Sequence, residues 1–169
     1  FVKKKQYDSE SKEKEEKLKE QVKEKRSEQR QLAKERIPVI TKALLECKQG
    51  TITIDNITME LAGSGKANFC YSTSDNYDDV FHIGLGEALC KADPKLVYCG
   101  LFEQGEKIRA IVYAGEDISK EKSAGEIVKR ISQILGGAGG GSPKFAQGGG
   151  IDKSKKEDAI KNAKSMIIE

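Results

Sequence analysis

Gly136-Gly-Ala-Gly-Gly-Gly-Ser-Pro-Lys-Phe-Ala-Gln-Gly-Gly-Gly150 gathers eight of the 17 glycines of this 169-residue chain into fifteen positions. Glycine tolerates positive φ and lets backbones approach closely, but ordering so much of it costs conformational entropy. Two reasons usually justify that cost: tight packing against a neighbouring element, or a cradle of bare N–H groups for an anion. The stretch reads as a Gly-rich loop built on Gly136, Gly137, Gly139, Gly140, Gly141, Gly148, Gly149 and Gly150. Of these, Gly140, Gly141, Gly148 and Gly149 are expected to include positions at positive φ or pressed against another backbone. Downstream, Ser154-Lys-Lys-Glu157 reads as a capping box opening a helix. Lys155 and Lys156 in its first turn, with Lys153 just before, oppose the helix macrodipole, an arrangement that makes sense if a phosphate comes to them. The phosphate fingerprints themselves are missing. A Walker loop requires Gly-Lys-Ser/Thr where this chain has Ser142-Pro143, and a dinucleotide fingerprint follows a strand whereas this block follows a helical stretch.

The block with its flanks, Ala124-Gly-Glu-Ile-Val-Lys-Arg-Ile131 before it and Ser142-Pro-Lys-Phe-Ala-Gln-Gly-Gly-Gly150 within it, resembles the DHH-associated C-terminal domain. That domain ends alanyl-tRNA synthetases as well as RecJ-type exonucleases and other DHH phosphoesterases. The resemblance covers about the last 75 residues, from Leu96 onward, and is most specific in the Gly-rich block. The charged helix in front resembles the arm that links the editing and C-terminal domains of alanyl-tRNA synthetases. The resemblance implies binding to the outer corner of tRNA(Ala), homodimerisation, and upstream catalytic and editing domains in the same chain. ATP, magnesium and zinc are implied for the parent enzyme alone.

Charged residues make up 34% of the chain and hydrophobic ones 37%, with no Trp: a globular but ionic composition. No run of 18 apolar residues exists to span a membrane. The chain opens on Phe1 rather than Met and reads as part of something longer. Residues 1–50 carry 15 Lys/Arg against 10 Asp/Glu, whereas residues 51–169 carry 15 against 17, so the basic excess lies on the N-terminal arm. A basic arm and a basic C-terminal segment suit a polyanion gripped at two places; charge alone favours the simpler reading, a solvated helix with balanced ion pairs.

Cys47, Cys70, Cys90 and Cys99 form no C-x-x-C pair, and His82 is the single histidine, which excludes a standard zinc cluster. Cys70, Cys90 and Cys99 lie in apolar stretches and read as small buried hydrophobes. Free thiols suit a reducing cytoplasm. His82, between Phe81 and Ile83, reads as a core or surface residue with no partner pattern for catalysis. Asp78-Asp79 and Glu116-Asp117 read as charged turns rather than Mg²⁺ ligands. No catalytic constellation or metal site is expected.

The organisation is α+β: a helical arm over residues 1–49, then a globular DHH-associated domain over 50–169, a mixed sheet packed by helices and carrying the Gly-rich loop. Asp8–Arg36 is a run of good helix formers. Its few apolar residues, Leu18, Val22 and Leu32, make a thin heptad stripe, too polar for a strong coiled coil. Pro38 is expected to break or kink the helix, with a second, more apolar helix running to Gly50. Thr51–Asp55, Ile57–Leu61 and Ala67–Ser72 read as strands, and Val80–Lys91 as a helix with Val80, Ile83, Leu85 and Leu89 on its apolar side. Leu96–Phe102 and Ile108–Tyr113 should form a buried hairpin. Ala124–Leu135 is a clearly amphipathic helix, and Lys155–Met166 is the last one.

Three functions compete: a tRNA-binding and dimerising domain, the nucleic-acid-binding domain of a DHH-type exonuclease or phosphodiesterase, and a coiled-coil adaptor with a globular head. Upstream H-x-x-x-H or D-H-H motifs would separate the first two. Phosphate contacts are expected from Lys144, Lys153, Lys155 and Lys156, with Lys23, Lys25, Arg26 and Arg30 of the arm as a second set and Gln147 beside them. Phe145 either stacks on a base or anchors the glycine segment to the core. The dimer contact is expected from Leu18, Val22, Leu32, Ile37, Val39, Ile40, Leu44 and Leu45, unless those that follow the Pro38 break dock onto their own domain.

Overall fold

The long Gly-free run of Lys, Glu, Gln and Arg makes one helix, and the alternating apolar segments behind it make a sheet with helices on both faces. The structure, a computed structural model, describes residues 2–46, 50–54, 57–63, 66–73 and 77–168, with the backbone alone described at residues 2, 52, 54 and 57–63. In chain order the elements are α1 (Val2–Glu46), β1 (Gly50–Ile54), β2 (Ile57–Gly63), β3 (Asn68–Thr73), α2 (Asp79–Ala92), β4 (Leu96–Gln104), β5 (Lys107–Ala114), α3 (Ala124–Ile134), β6 (Ala138–Gly141), β7 (Phe145–Gly150) and α4 (Lys156–Ile168). Short 3-10 turns occupy Ile118–Lys120 and Lys153–Lys155.

The strands form one mixed sheet in the order β1-β2-β3-β4-β5-β7-β6. The β3–β4 pair is parallel, joined by the α2 crossover that parallel neighbours require, and the other pairs are antiparallel. The expected hairpin of β4 and β5 lies in the middle, where its near-continuous apolar runs are buried on both faces. On one face α3 and α4 close a core of Phe69, Val97, Cys99, Leu101, Val112, Ile127, Val128, Ile131 and Ala163. On the other, α2 lays Phe81, Leu85 and Leu89 on Cys70 and Tyr98, and α1 packs behind it through Ala33, Ile40 and Leu44. The apolar side of α2 is therefore Phe81, Leu85 and Leu89 rather than one that includes Val80 and Ile83, which are half-buried. Gly84 of α2 faces Ile37 of α1, and a side chain there would meet its Cδ1 at 2.8 Å.

Three expectations need correction. First, α1 runs through Pro38 without a break. A proline inside a helix forfeits a hydrogen bond and clashes with the preceding turn, about 3 kcal/mol. Burial of Ile40 and Leu44, about 2 kcal/mol each, holds the last turns against α2 and offsets that loss. The end of the arm is thus part of the core, whatever boundary is drawn near residue 49; residues 47–49, including Cys47, lie outside the described residues.

Second, Ser154 and Glu157 do not make the capping box. Asp152 caps instead, its carboxylate accepting from Ser154 N at 3.2 Å and from the Ser154 hydroxyl at 2.5 Å.

Third, the Gly-rich stretch is not a loop. Gly139, Gly140 and Gly141 lie in β6, and Phe145, Gln147, Gly148, Gly149 and Gly150 in β7. Packing explains why. α3 crosses the hairpin so closely that a Cβ on Gly139 would stand 2.6 Å from Ser132 Oγ, and one on Gly148 would collide with the same atom. The fully buried Ser132 hydroxyl accepts from Gly149 N at 3.1 Å. α3 itself ends in a Schellman turn. Gly136, at φ +74, donates to Gln133 O at 3.2 Å, and Gly137 donates to Ser132 O at 2.8 Å, which satisfies carbonyls the helix leaves open. Gly149 has φ +153, and a Cβ there would strike the carbonyl of Ile108 on β5. Of the two reasons a chain spends glycine, close packing is the one realised here.

Candidate nucleic-acid interface

Glycine on β6 and β7 has a second consequence, on the face of the sheet away from α3. β5 alternates Lys107, Ile108, Arg109, Ala110, with Ile108 and Ala110 buried in the core, so Lys107 and Arg109 project from the opposite face. Arg109 lies opposite Gly149 in register, and no side chain covers it from there. Its guanidinium donates to Gln147 Oε1 at 3.1 Å and to Gln104 Oε1 at 3.4 Å. Both acceptors are neutral amides. Neither Arg109 nor Lys107 makes an ion pair among the described residues. A shallow cleft of about 530 Å³ opens here, lined by Gln104, Lys107, Arg109, Gln147 and Ile151 with the glycine backbone as its floor. A planar guanidinium and an ammonium with no carboxylate partner among the described residues, above an uncrowded backbone, suit a phosphate.

The cleft adjoins the arm. Lys25 borders a smaller crevice of about 360 Å³ with Glu28, Gln29, Tyr77, Asp78, Phe102, Glu103 and Gln104, so Gln104 lines both concavities, and the second one carries three carboxylates beside its lysine. Lys23, Lys25, Arg26 and Arg30 are exposed on α1. Asp78 caps α2 by accepting from Phe81 N at 3.3 Å. Burial pushes its carboxyl up, while that hydrogen bond and the positive field of Arg26 pull it back.

The lysines singled out in the sequence are less available. Lys153 is held at 2.8 Å by Glu103 and donates to Gly105 O at 2.9 Å, tying the β4–β5 turn to the start of α4. Lys144, at the tip of the β6–β7 hairpin, pairs with Glu116 at 2.7 Å, both well exposed. Lys155 lies 3.7 Å from Asp158, and Lys156 is half-buried. Phe145 sits on a strand with its ring 5.1 Å from that of Tyr113, the anchoring alternative rather than a loop aromatic held out to a base. Gln147 orients Arg109. Arg109, Lys107 and Gln104 were missed. The available signal was the polar alternation Lys107/Arg109 at the mouth of an otherwise apolar strand.

The dimer candidates divide in two. Ile40 and Leu44 are buried, and Leu32 and Ile37 are packed against the same α1–α2 core, so these four serve the chain's own fold. Leu18, Val22, Val39 and Leu45 stay about half exposed or more.

His82 has partners that its sequence context did not reveal. Tyr98 Oη lies 2.5 Å from Ser72 Oγ and 2.8 Å from His82 Nδ1, and the imidazole stacks on Phe102 at 4.6 Å. Ser72, His82 and Tyr98 are each wholly buried, and burial holds the Tyr98 hydroxyl far above its ordinary pKa. The trio is a polar network inside the core. Among the described residues no group of His, Cys, Asp and Glu is placed to hold a metal ion, and no helix is long and apolar enough to cross a membrane.

A mixed sheet with a glycine hairpin under an amphipathic helix, behind a helical arm, is a known domain type. The model of the DHHA1 domain matches residues 66–169, and the chain belongs to that family. It is similar to the alanine–tRNA ligase of Nitrosopumilus maritimus strain SCM1, with 43% identity over 99% of this chain and 18% of the relative. It is also similar to that of Cenarchaeum symbiosum strain A, at 41% over 54% of this chain and 10% of the relative. Among solved structures, the C-Ala domain of alanyl-tRNA synthetase from Aquifex aeolicus superposes with a TM-score of 0.61 at 26% identity, covering 64% of this chain and 98% of that one. The chain spans less than a fifth of the length of the ligases it matches.

Proposed function

We propose that this chain is the C-terminal tRNA-binding region of an alanine–tRNA ligase, with the Arg109 cleft and the basic flank of α1 as its RNA-facing surface. The observation that carries the reading is the continuity of that surface. Gln104 joins a cleft lined by Lys107 and Arg109, neither of which makes an ion pair among the described residues, to the crevice where Lys25, one member of the exposed run from Lys23 to Arg30, stands beside Glu28, Asp78 and Glu103. The similarity to a ligase extends over the arm as well as the domain, which favours this reading over a phosphoesterase one. Contacts of this kind grip a backbone and read its shape rather than its sequence. The region assists aminoacylation and editing by holding the body of tRNA(Ala). The chemistry, with its ATP, magnesium and zinc, belongs to other domains of the same polypeptide. Lys144, Lys155 and Lys156 are secondary contacts; Lys153 acts through its hold on Glu103.

The test is a filter-binding titration of tRNA(Ala) at several salt concentrations with K107Q/R109Q. Loss of two phosphate contacts lowers the slope of log K against log salt by roughly 1.8. An unchanged slope with tRNA still bound removes the cleft from the interface. A homodimer, on this reading, forms through the exposed Leu18, Val22, Val39 and Leu45, and L18D/V22D converts it to a monomer by light scattering with helicity intact. A monomeric parent at micromolar concentration rejects dimerisation by this region.

A further inference from the structure

Outside the cleft, another concavity gathers cations that outnumber the carboxylates lining it. α3 and α4 diverge to leave a groove of about 580 Å³ lined by Arg130, Ile134, Lys155, Asp158, Lys161, Asn162 and Ser165. Arg130 Nε donates to Asn162 Oδ1 at 3.3 Å, an amide rather than a carboxylate. Glu126, one turn before Arg130, makes no ion pair with it among the described residues. Lys161 is exposed on the facing helix and likewise has no ion pair there. The single carboxylate lining the groove, Asp158, reaches Lys155 at 3.7 Å, with both side chains more than half in water. Three cations thus face one another across a channel with one anion among them. Unscreened, they repel, and a counter-anion relieves that repulsion.

The groove is also a neighbour of the cleft. Ile134 lines the groove, and Gly136 and Gly137, two and three residues on, line the cleft. Ile151 stands at the cleft, 69% exposed, and Lys155 stands at the groove. Two short chain segments therefore connect the two concavities: the Schellman turn from Ile134 to Gly137, and residues 151–155 after β7. We infer that the α3–α4 groove is a second phosphate-binding track, and that one RNA strand leaving the Arg109 cleft crosses the Gly136–Ile151 corner and lays its next phosphates between Arg130, Lys155 and Lys161. The inference rests on the RNA-binding reading of the cleft but concerns separate residues on separate elements. Asn162 and Ser165 add neutral donors that hold a phosphate oxygen without selecting a base.

The experiment uses the full 169-residue chain and an unmodified tRNA(Ala) transcript, titrated between low and moderate salt. R130Q/K161Q is compared with K91Q/K95Q, a pair of exposed lysines removed from both concavities that matches the charge change, and with K107Q/R109Q. The expected result is a salt slope lower by about 1.8 for R130Q/K161Q and unchanged for K91Q/K95Q, with thermal melts of all variants alike. Equal slopes for R130Q/K161Q and the parent, or an equal fall in K91Q/K95Q, overturn the track. Either result leaves the cleft standing if K107Q/R109Q still lowers the slope, so failure of the track is distinguishable from failure of RNA binding as a whole. Phosphate-ethylation interference adds a second readout: modified phosphates that block the parent but not R130Q/K161Q mark the segment in the groove, and their absence counts against it.

Discussion

The β6–β7 hairpin and the α1 arm are the two compositional extremes of the chain, one almost without side chains and the other almost without apolar ones. The hairpin looks like a loop in sequence and is a pair of strands in close contact with α3, because a strand with no Cβ lets the Ser132 side chain come down onto it. The arm looks like a solvated helix in sequence and is one over most of its length, every residue from 3 to 28 being exposed. Composition therefore sets local conformation where a segment stands alone. Where a segment is packed, the neighbour decides.

The sharpest way to break that contrast is inside the hairpin. Gly149→Ala places a Cβ in a positive-φ conformation and against the Ile108 carbonyl. It is expected to cost about 3 kcal/mol or more, a fall of roughly 10 °C in Tm for a domain of this size. Gly140→Ala meets nothing within 4 Å and should stay within about 0.5 kcal/mol of the parent. Equal melts for the two would mean the hairpin is a flexible linker and its packing account is wrong.

Next in size is the boundary within the arm. Leu44 is 3% exposed and Leu18 62%, though both lie on one uninterrupted helix. Leu44→Ala should destabilise by about 3 kcal/mol and Leu18→Ala by less than about 0.5, read from urea midpoints at low protein concentration. A comparable loss at Leu18 would show that the outer arm is buried by something, with a second copy the first suspect.

Much of this was legible in advance. The strands at 51–54, 57–61 and 68–72, the β4–β5 hairpin, α3 and α4 all carry local signals, namely β-branched runs or i, i+3, i+4 apolar spacing. Two of the misreadings share one cause. Pro38 and the glycine run are local signals overridden by tertiary partners, Ile40 and Leu44 on α2 and α3 above β6 and β7, whereas the Ser154 box loses to a nearer local competitor, Asp152 two residues ahead. The candidate site was harder. Lys144 and Lys153 stand out in a line of text, but their partners Glu116 and Glu103 are 28 and 50 residues away. Arg109 is inconspicuous in an apolar strand, and only the register of β7 leaves it uncovered.

A smaller effect separates core from arm by pH. Burial pushes the Cys70 and Cys90 thiols up to about 12 from 9.0 and raises Cys99 further. A pKa raised in the folded state gives stability that is complete below the unfolded value and is lost as pH rises above 9 toward the folded one. By pH 10 each thiol should subtract about 1 kcal/mol, so Cys90→Ala in a Cys47→Ser background should flatten the fall in urea midpoint between pH 8 and 10. The arm before Leu32 carries no buried thiol, and its helicity should not follow that curve. A midpoint flat to pH 10 in the parent would mean the thiols are reached by solvent.

The smallest expected effect tests whether the hairpin tip belongs with the packed core or with the solvated arm. Lys144 and Glu116 pair at 2.7 Å, but both are more than half exposed, and an ion pair in water contributes little to folding. The hydrogen bond and charge of Lys144 draw the Glu116 carboxyl below its ordinary value. A depressed carboxylate adds stability that is present above its unfolded pKa and lost as pH falls through the folded one, so the pair acts at neutral pH and vanishes in acid. Lys144→Gln should leave the thermal melt unchanged and let the Glu116 titration, followed by side-chain NMR, return upward. Glu116→Gln should do the opposite for RNA. It releases Lys144, and on the proposed RNA-binding reading tRNA should bind more tightly in Glu116→Gln and more weakly in Lys144→Gln, each by no more than a few-fold at moderate salt, where exposed charges are screened within about 10 Å. If both variants bind alike, the tip stands outside the RNA path, and the pair is ordinary surface chemistry like that of Lys19 and Glu15 on the arm.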